Sequence, residues 1–347
     1  MQYRHLGRTD LSVSLLCLGS MTWGTQNTTE EGHAQIDRAL EAGVNFVDTA
    51  EMYPVNPMSA ETQGETERVI GRWFANGGTR DRMILATKVS GDGALGARGG
   101  EPISGAAMRR AIEGSLSRLQ TDYVDLYQLH WPNRGSYHFR QYWRYDPTGQ
   151  SREATRDHIR DVLETAAALI EEGKIRHLGL SNESAWGTQQ FIEVSEAEGL
   201  PRVASIQNEY SLLCRIYDLD LAELSHNEDV GLLAFSPLAV GLLSGKYQDG
   251  AIPAGSRKTL NPNLGGRAGP RVEPAVDAYL EIAARHGLDP CQMALAWCYS
   301  RPFMASAIFG ATTMEQLETA LGAGDLVLSD EILEEIDTAH RAHPMPF

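Results

Sequence analysis

Four residues of types that transfer protons stand at or near the ends of short apolar segments. Asp48 closes the run VNFVD, and Tyr53 follows it five residues later. Lys88 closes MILATK, and His130 closes YVDLYQLH. Taken singly, each has an ordinary explanation: a turn-forming or helix-capping aspartate, one of 12 tyrosines, a solvated lysine, or a structural histidine. Ionisable side chains at the ends of buried strands are costly without a purpose, so we consider the four together.

Together these residues form a set that could deliver a proton to a carbonyl oxygen while hydride reduces the carbonyl. A phenol has a pKa near 10 and is a poor acid at neutral pH unless a nearby cation lowers that pKa. Lys88 would supply the cation, Asp48 would hold it, and His130 would orient the substrate oxygen or relay the proton. Lowering the tyrosine pKa by two or three units corresponds to roughly 3–4 kcal/mol, which one desolvated charge at about 4 Å can supply.

Short β-branched segments alternate with longer segments of helical periodicity, which indicates βαβ units and a parallel sheet. The predicted strands are 14–19, 44–48, 83–88, 123–130, 176–181, 204–207, 230–236 and 305–309. The predicted helices are 29–42, 65–76, 103–119, 156–172, 184–198, 218–227, 272–286, 290–300, 313–321 and 330–341.

Eight such units favour an α/β fold of the (β/α)8 TIM-barrel type, in one domain covering 1–347 with extra C-terminal helices. Segments 2–6 and 11–13 are expected to form a hairpin that plugs the bottom of the barrel. A doubly wound sheet is the alternative, because it shares the same local pattern. The first strand runs into GSMTWG rather than the G-x-G-x-x-G of dinucleotide-binding sheets, which favours the barrel.

Three long connections, 54–64, 90–102 and 131–155, follow predicted strands and should wall a site on the C-terminal face of the barrel. The third is rich in aromatic residues and arginine, so we expect it to pack against the protein rather than extend into solvent.

Charge and composition exclude several classes of partner. The net charge is −16, without a run of lysine and arginine, so binding to nucleic acid or to anionic membranes is not expected. The most apolar stretch, 231–245, is too short to span a bilayer, and the N-terminal residues lack the apolar core of a signal peptide. Four scattered cysteines predict reduced thiols, a cytoplasmic location and no metal centre.

The sequence resembles the aldo-keto reductases over essentially its whole length, and within them the branch that includes bacterial Tas-type reductases and the potassium-channel beta subunits. The segments that carry the resemblance are CLGSMTWG (17–24), AGVNFVDTAEMY (42–53), ATKVS (86–90), RLQTDYVDLYQLHWP (118–132), GKIRHLGLSN (173–182), IQNEYSLL (206–213), AFSPLAVGLLSGKY (234–247) and IFGATTMEQLETAL (308–321). The resemblance implies a barrel that binds NADPH without a Rossmann motif. It also implies a catalytic tetrad formed by Asp48, Tyr53, Lys88 and His130.

The same resemblance assigns cofactor-binding positions. Ser181, Asn182 and Gln207 match the residues that hold the nicotinamide carboxamide, and Phe235 stands where relatives stack Tyr or Trp on the ring. The remaining positions implied to contact the cofactor are Ser20, Met21, Ser236, Pro237, Leu238, Ala239 and Gly241, the phosphate partners Lys246 and Arg257, and the adenine-end residues Gly310, Thr312 and Gln316. Trp23 and Trp131 are expected to line the substrate pocket, with packing in the core as the alternative.

Three functions fit these residues to different degrees. The leading hypothesis is an NADPH-dependent reductase of aldehydes and ketones, with a small-molecule carbonyl substrate and Tyr53 as general acid. The alternative is a cofactor-binding interaction subunit with little or no catalysis; its relatives tend to lose the tetrad histidine, whereas His130 is retained here. A barrel that forms a Schiff base through Lys88 would leave the segment around Ser236 unexplained. The natural substrate stays open, and an oligomer is compatible with the sequence.

Overall fold

The computed structural model describes every residue except Asn56, Met58 and Leu95. The described residues form a closed barrel of eight parallel strands, β3 to β10, in which each strand pairs with its neighbours along the chain and β10 closes against β3. The strands are β3 (Leu16–Gly19), β4 (Phe46–Asp48), β5 (Ile84–Val89), β6 (Val124–Leu129), β7 (Ile175–Ser181), β8 (Val203–Glu209), β9 (Gly231–Phe235) and β10 (Met304–Phe309). The predicted TIM barrel is confirmed, and the doubly wound alternative is excluded.

The helices surround this barrel. They are α1 (Thr29–Glu41), α2 (Glu65–Ala75), α3 (Gly105–Leu119), α4 (Arg152–Glu171), α5 (Ala185–Glu198), α6 (Asp220–Glu228), α7 (Arg257–Leu260), α8 (Val272–Arg285), α9 (Pro290–Ser300), α10 (Met314–Leu321) and α11 (Asp330–Ala342). No described helix has the length and apolarity needed to cross a bilayer.

Local sequence explains where several helices begin. Thr28 and Glu31 form a reciprocal capping box at the start of α1. Asp289 accepts hydrogen bonds from the backbone of Cys291 and Gln292, and Pro290 occupies the first position of α9. At the start of α11, the Ser329 side chain accepts a hydrogen bond from the backbone N–H of Ile332.

A short antiparallel hairpin, β1 (Tyr3–His5) and β2 (Ser12–Ser14), closes the bottom of the barrel. Leu6, Leu11 and Val13 are buried in one apolar cluster with the barrel residues Phe46 and Leu126. The predicted hairpin plug is therefore confirmed. A second, larger apolar cluster fills the layer between the strands and the helices.

The structure differs from the prediction in the third long connection. Helix α4 begins at Arg152 instead of 156, because the Ser151 side chain accepts a hydrogen bond from the backbone of Ala154 and caps the helix. Helix α7 lies in a stretch where no helix was predicted. The other two long connections include Asn56, Met58 and Leu95, which lie outside the described residues.

Contact between α2 and α3 depends on Gly71. A β-carbon at this position would overlap the carbonyl oxygen of Arg118 and lie 2.9 Å from the carbonyl carbon of Leu119. A β-carbon at Gly114, inside α3, would meet only the movable guanidinium of Arg118, at 3.0 Å.

We therefore expect Gly71→Ala to lower the free energy of unfolding by about 1–3 kcal/mol, because the backbone of α3 cannot move without loss of packing. Gly114→Ala should leave it unchanged or raise it by up to about 1 kcal/mol through helix propensity. Denaturant unfolding of both variants tests this, and equal effects at the two positions would contradict the packing argument.

Candidate functional site

The barrel brings Asp48, at the end of β4, next to Lys88, near the end of β5. Lys88 is fully buried, and its Nζ donates to Asp48 Oδ2 at 2.5 Å and to the carbonyl oxygen of Thr49 at 2.8 Å. Burial alone would lower the pKa of Lys88, but the charge of Asp48 and the interactions with Tyr53 outweigh it and leave that pKa above the usual value. Lys88 is therefore a fixed ammonium at neutral pH.

The second carboxylate oxygen of Asp48 is held by two amides. Asp48 Oδ1 accepts from Gln128 Nε2 at 3.1 Å and from Gln207 Nε2 at 2.9 Å. Gln207 Nε2 also donates to Gln128 Oε1 at 3.1 Å. Gln128 was not among the residues predicted from the sequence; its signal is a polar residue two positions before His130 in a largely apolar strand.

Tyr53 lies over Lys88, with 4.9 Å between Nζ and the centroid of the phenol ring. The loop that carries Tyr53 is fixed by Glu51, whose buried carboxylate accepts from the backbone N–H of Ser90 at 2.6 Å and pairs with Arg98. These two contacts of Glu51 therefore join the ends of β4 and β5 to the second long connection.

The pKa of Tyr53 does not fall below its usual value, contrary to the sequence-based expectation. Burial raises the pKa of the phenol, and the Lys88 charge opposes this rise without cancelling it. The Lys88 ammonium lowers the pKa of the phenol, as expected, but burial raises that pKa by more. Tyr53 is consequently fully protonated at neutral pH.

His130 follows β6 and faces Tyr53 edge-on, with 5.8 Å between the ring centroids. It is 8% exposed, and its Nδ1 has no partner among the described residues. Burial, and after it the Lys88 charge, lowers the pKa of His130 well below its usual range. The ring is therefore neutral, with one N–H to donate.

Asn182 and Gln207 occupy the ends of β7 and β8, and their amide NH2 groups are tied to the protein. Asn182 Nδ2 donates to the carbonyl oxygen of His130 at 2.9 Å and to Ser181 Oγ at 3.1 Å. The buried Oδ1 of Asn182 lacks a donor among the described residues. A buried acceptor without a donor at the barrel mouth is a position that a ligand can satisfy.

The segment after β9 has an unusual backbone. Ser236, Ala239, Val240 and Gly241 all have positive φ, between 46° and 93°. A β-carbon at Gly241 would lie 2.9 Å from Cε of Lys246, so glycine allows this lysine to lie across the segment. Successive backbone N–H groups in such conformations can form a concave anion site.

The other cofactor positions inferred from the resemblance lie around the same rim. The Phe235 ring is partly exposed at the end of β9, and Pro237 and Leu238 continue from it. The backbone N–H of Thr312 donates to Gln316 Oε1 at 3.0 Å. Gly310, two residues before Thr312, is exposed.

Arg257 begins α7 and is partly buried, and its pKa is lowered by burial and by the neighbouring Arg267.

Ser20 Oγ donates to the carbonyl oxygen of Asp48 at 2.8 Å, which ties the loop after β3 to β4. Met21 follows it and is partly buried.

The two tryptophans expected at the substrate pocket have different environments. Trp131 is partly buried, lies against His130 with ring centroids 4.9 Å apart and ring planes tilted by 48°, and meets Phe139 edge-on at 6.3 Å. Trp23 has no exposed surface, and its indole N–H donates to Gln35 Oε1 at 3.0 Å. The structure therefore brings Trp131 to the mouth of the barrel and leaves Trp23 in the packed wall behind it.

Two long loops share one anchor that sequence reasoning missed. Glu209, the last residue of β8, accepts from Arg140 Nη1 at 2.6 Å and from Arg267 Nε at 2.6 Å. Arg140 belongs to the aromatic loop after β6, and Arg267 to the stretch between α7 and α8. A single buried carboxylate thus fixes both loops to the rim.

Among the described residues, no group of three or more His, Cys, Asp or Glu side chains is arranged to hold a metal ion. The four cysteines, all of them described, are free thiols, and Cys291 is only partly buried.

The chain matches the model of the Aldo/keto reductase family over residues 15–341. It is 44% identical to Protein tas of Escherichia coli, over 100% of this chain and 99% of that protein. It is 32% identical to the Uncharacterized oxidoreductase YrpG of Bacillus subtilis, over 97% and 95% of the two chains. Identity to a Probable voltage-gated potassium channel subunit beta of Arabidopsis thaliana is 31%, over 99% and 98%. The predicted resemblance is confirmed: this chain belongs to the aldo/keto reductase family, in its Tas-type and channel-beta-like branch, which supports an oxidoreductase function.

Proposed function

We propose that this protein is an NADPH-dependent reductase of aldehydes and ketones, built as one barrel domain over residues 1–347. The observation that carries the proposal is the buried Lys88, which lies between Asp48 and the phenol of Tyr53, with neutral His130 opposite. This is the arrangement required to give a proton to an oxygen that is gaining negative charge.

The described residues fit a nicotinamide dinucleotide. Asn182 Oδ1 is an unsatisfied acceptor, and the positive-φ segment from Ser236 to Gly241 offers backbone N–H groups beside Lys246. When bound, the nicotinamide would supply the hydride. Asn182 and Gln207 would hold its carboxamide, Phe235 would pack on its ring, and Lys246 and Arg257 would bind phosphates.

Local charge agrees with an anionic cofactor although the chain as a whole carries −16. Segment 236–271 has one acidic residue, Asp249. Its basic residues are Lys246, Arg257, Lys258, Arg267 and Arg271. A cationic rim on an anionic protein attracts phosphates to this side of the barrel.

Tyr53 would be the general acid. Its raised pKa keeps the proton on the phenol while the site is at rest. As the carbonyl oxygen becomes an alkoxide it is a far stronger base than the phenolate, and the proton moves from Tyr53 to that oxygen. The Lys88 ammonium stabilises the phenolate left behind, and Asp48 keeps the ammonium in position.

His130 would orient the substrate. A neutral imidazole donates one hydrogen bond to the carbonyl oxygen without competing with Tyr53 as an acid. Trp131 and the exposed Phe139 would line the entrance and contact the rest of the substrate.

The second candidate is a cofactor-binding interaction subunit, suggested by the relative described as a potassium channel subunit beta. The retained His130, placed 5.8 Å from Tyr53 between ring centroids, favours an enzyme. A protein that binds NADPH but fails to oxidise it with any of a broad panel of carbonyl compounds would favour the subunit.

Tyr53→Phe should lower kcat by at least about 100-fold, because it removes the general acid, while the dissociation constant for NADPH stays within about twofold. Steady-state kinetics and quenching of tryptophan fluorescence measure the two effects. Tyr123→Phe is the matched control, since Tyr123 lies at the opposite end of the barrel between Arg80 and Arg176. Unchanged turnover in Tyr53→Phe would exclude the proposed role.

Arg257→Met should weaken NADP⁺ binding by about tenfold or more and NAD⁺ binding by less, because a charge-assisted hydrogen bond to the 2′-phosphate is lost. Lys246→Met should weaken both. Titration of the two dinucleotides is the measurement, with Arg109→Met on α3 as the control for the change in charge. Equal losses for NADP⁺ and NAD⁺ in Arg257→Met would show that Arg257 does not contact the 2′-phosphate.

The lowered pKa of His130 also predicts a pH dependence of stability. As the pH falls below about 6.5, the unfolded chain takes up this proton before the folded protein does, so the free energy of unfolding decreases. The slope contributed by one such group is up to about 1.4 kcal/mol per pH unit. His130→Asn should remove this contribution in denaturant unfolding between pH 6.5 and 5.5; identical slopes in the two proteins would refute a lowered pKa.

A further inference from the structure

Gln128 lies inside the barrel on β6 and is fully buried. It is not one of the proton-transfer residues. Among the described residues, its side-chain amide hydrogen-bonds to two groups of the site, Asp48 and Gln207. Both residues have roles in the proposed function: Asp48 holds the lysine, and Gln207 would hold the carboxamide of the nicotinamide.

The chemistry of Asp48 determines how both amides are turned. A carboxylate can only accept, so the groups that point at Asp48 Oδ1 must be the NH2 groups of Gln128 and Gln207. Gln128 Oε1 is then left to accept the second N–H of Gln207, at 3.1 Å. Both protons of Gln207 Nε2 are thereby used.

This leaves Gln207 Oε1 without a hydrogen-bond donor among the described residues. The buried Oδ1 of Asn182, at the end of the neighbouring strand, also lacks one. The two strands are adjacent, since the backbone N–H of Asn182 donates to the carbonyl oxygen of Gln207 at 3.0 Å. Two amide oxygens without donors on adjacent strands can accept from a ligand NH2 group but cannot donate to a ligand carbonyl.

We infer that Gln128 is a positioning residue that fixes the amide of Gln207 with its oxygen outward, so that the site selects the NH2 group of the nicotinamide carboxamide. The inference rests on the proposed function. Without Gln128, one proton of Gln207 Nε2 loses its acceptor, and the amide can rotate to present NH2 instead of oxygen. Because Gln128 also donates to Asp48, the same residue connects recognition of the ring to the proton-transfer group.

The test compares two dinucleotides that differ only in this NH2 group. NADP⁺ carries the carboxamide, and its 3-acetylpyridine analogue has a methyl group in place of NH2. The unmodified protein should bind NADP⁺ about 3- to 10-fold more tightly than the analogue, as expected for a hydrogen bond donated to a buried acceptor. In Gln128→Leu this ratio should fall below about twofold.

Two control measurements separate positioning from a general structural effect, and a second variant covers a failure to fold. Binding of 2′,5′-ADP, which has no nicotinamide, should stay within about twofold in Gln128→Leu. Gln190→Leu, a buried glutamine on α5 bonded to Arg156, should retain the full ratio. If Gln128→Leu does not fold, Gln128→Met supplies a side chain of nearly the same length without the amide.

A ratio that stays at the unmodified value in a folded Gln128 variant would overturn the inference, as would an equal loss of 2′,5′-ADP binding. Failure of the proposed function has a different signature: the unmodified protein would prefer NADP⁺ over the analogue yet reduce no carbonyl compound. A protein that binds neither dinucleotide would contradict both.

Discussion

The site depends on an ammonium and a carboxylate that are both removed from water. Burial of an ion pair costs several kcal/mol per ion unless the remaining donors and acceptors are satisfied. Lys88 meets this condition with Asp48 and a backbone carbonyl, and Asp48 with two amides besides the lysine. Loss of Asp48 or Lys88 leaves a buried charge unpaired, and loss of either amide leaves Asp48 with fewer hydrogen bonds. The ion pair and its two amide partners lie on four strands, β4, β5, β6 and β8, and they hold these strands in one arrangement at the barrel mouth.

The rim is built in the same way, with buried carboxylates as anchors for loops. Glu51 fixes the loop before Tyr53 through a backbone N–H of the next strand and through Arg98. Glu209 binds two arginines from loops more than 120 residues apart in sequence, Arg140 and Arg267. Long connections that lack regular structure are thus held by a few directional contacts rather than by a large apolar surface.

The barrel, the hairpin and the strand-end residues could be predicted because they depend on local patterns. Alternation of β-branched and helical segments gave the eight strands within a few residues, and strand ends of a parallel sheet meet on one face. The role of Gln128 could not be predicted in this way. It depends on contact with Asp48 and Gln207, which lie 80 and 79 residues away in sequence. The direction of the Tyr53 pKa likewise depends on burial, which the sequence does not measure.

The hairpin under the barrel affects the side from which ligands can reach the site and the order in which they bind. Since Leu6 and Val13 close the lower end, and the interior is filled with side chains, the strand ends can be reached from above only. A molecule that contacts Gln207 lies deeper than one that contacts Trp131 at the entrance. If a dinucleotide and a carbonyl compound both bind from this face, as the proposed function requires, the group that contacts Gln207 must bind before the one that contacts Trp131 and leave after it.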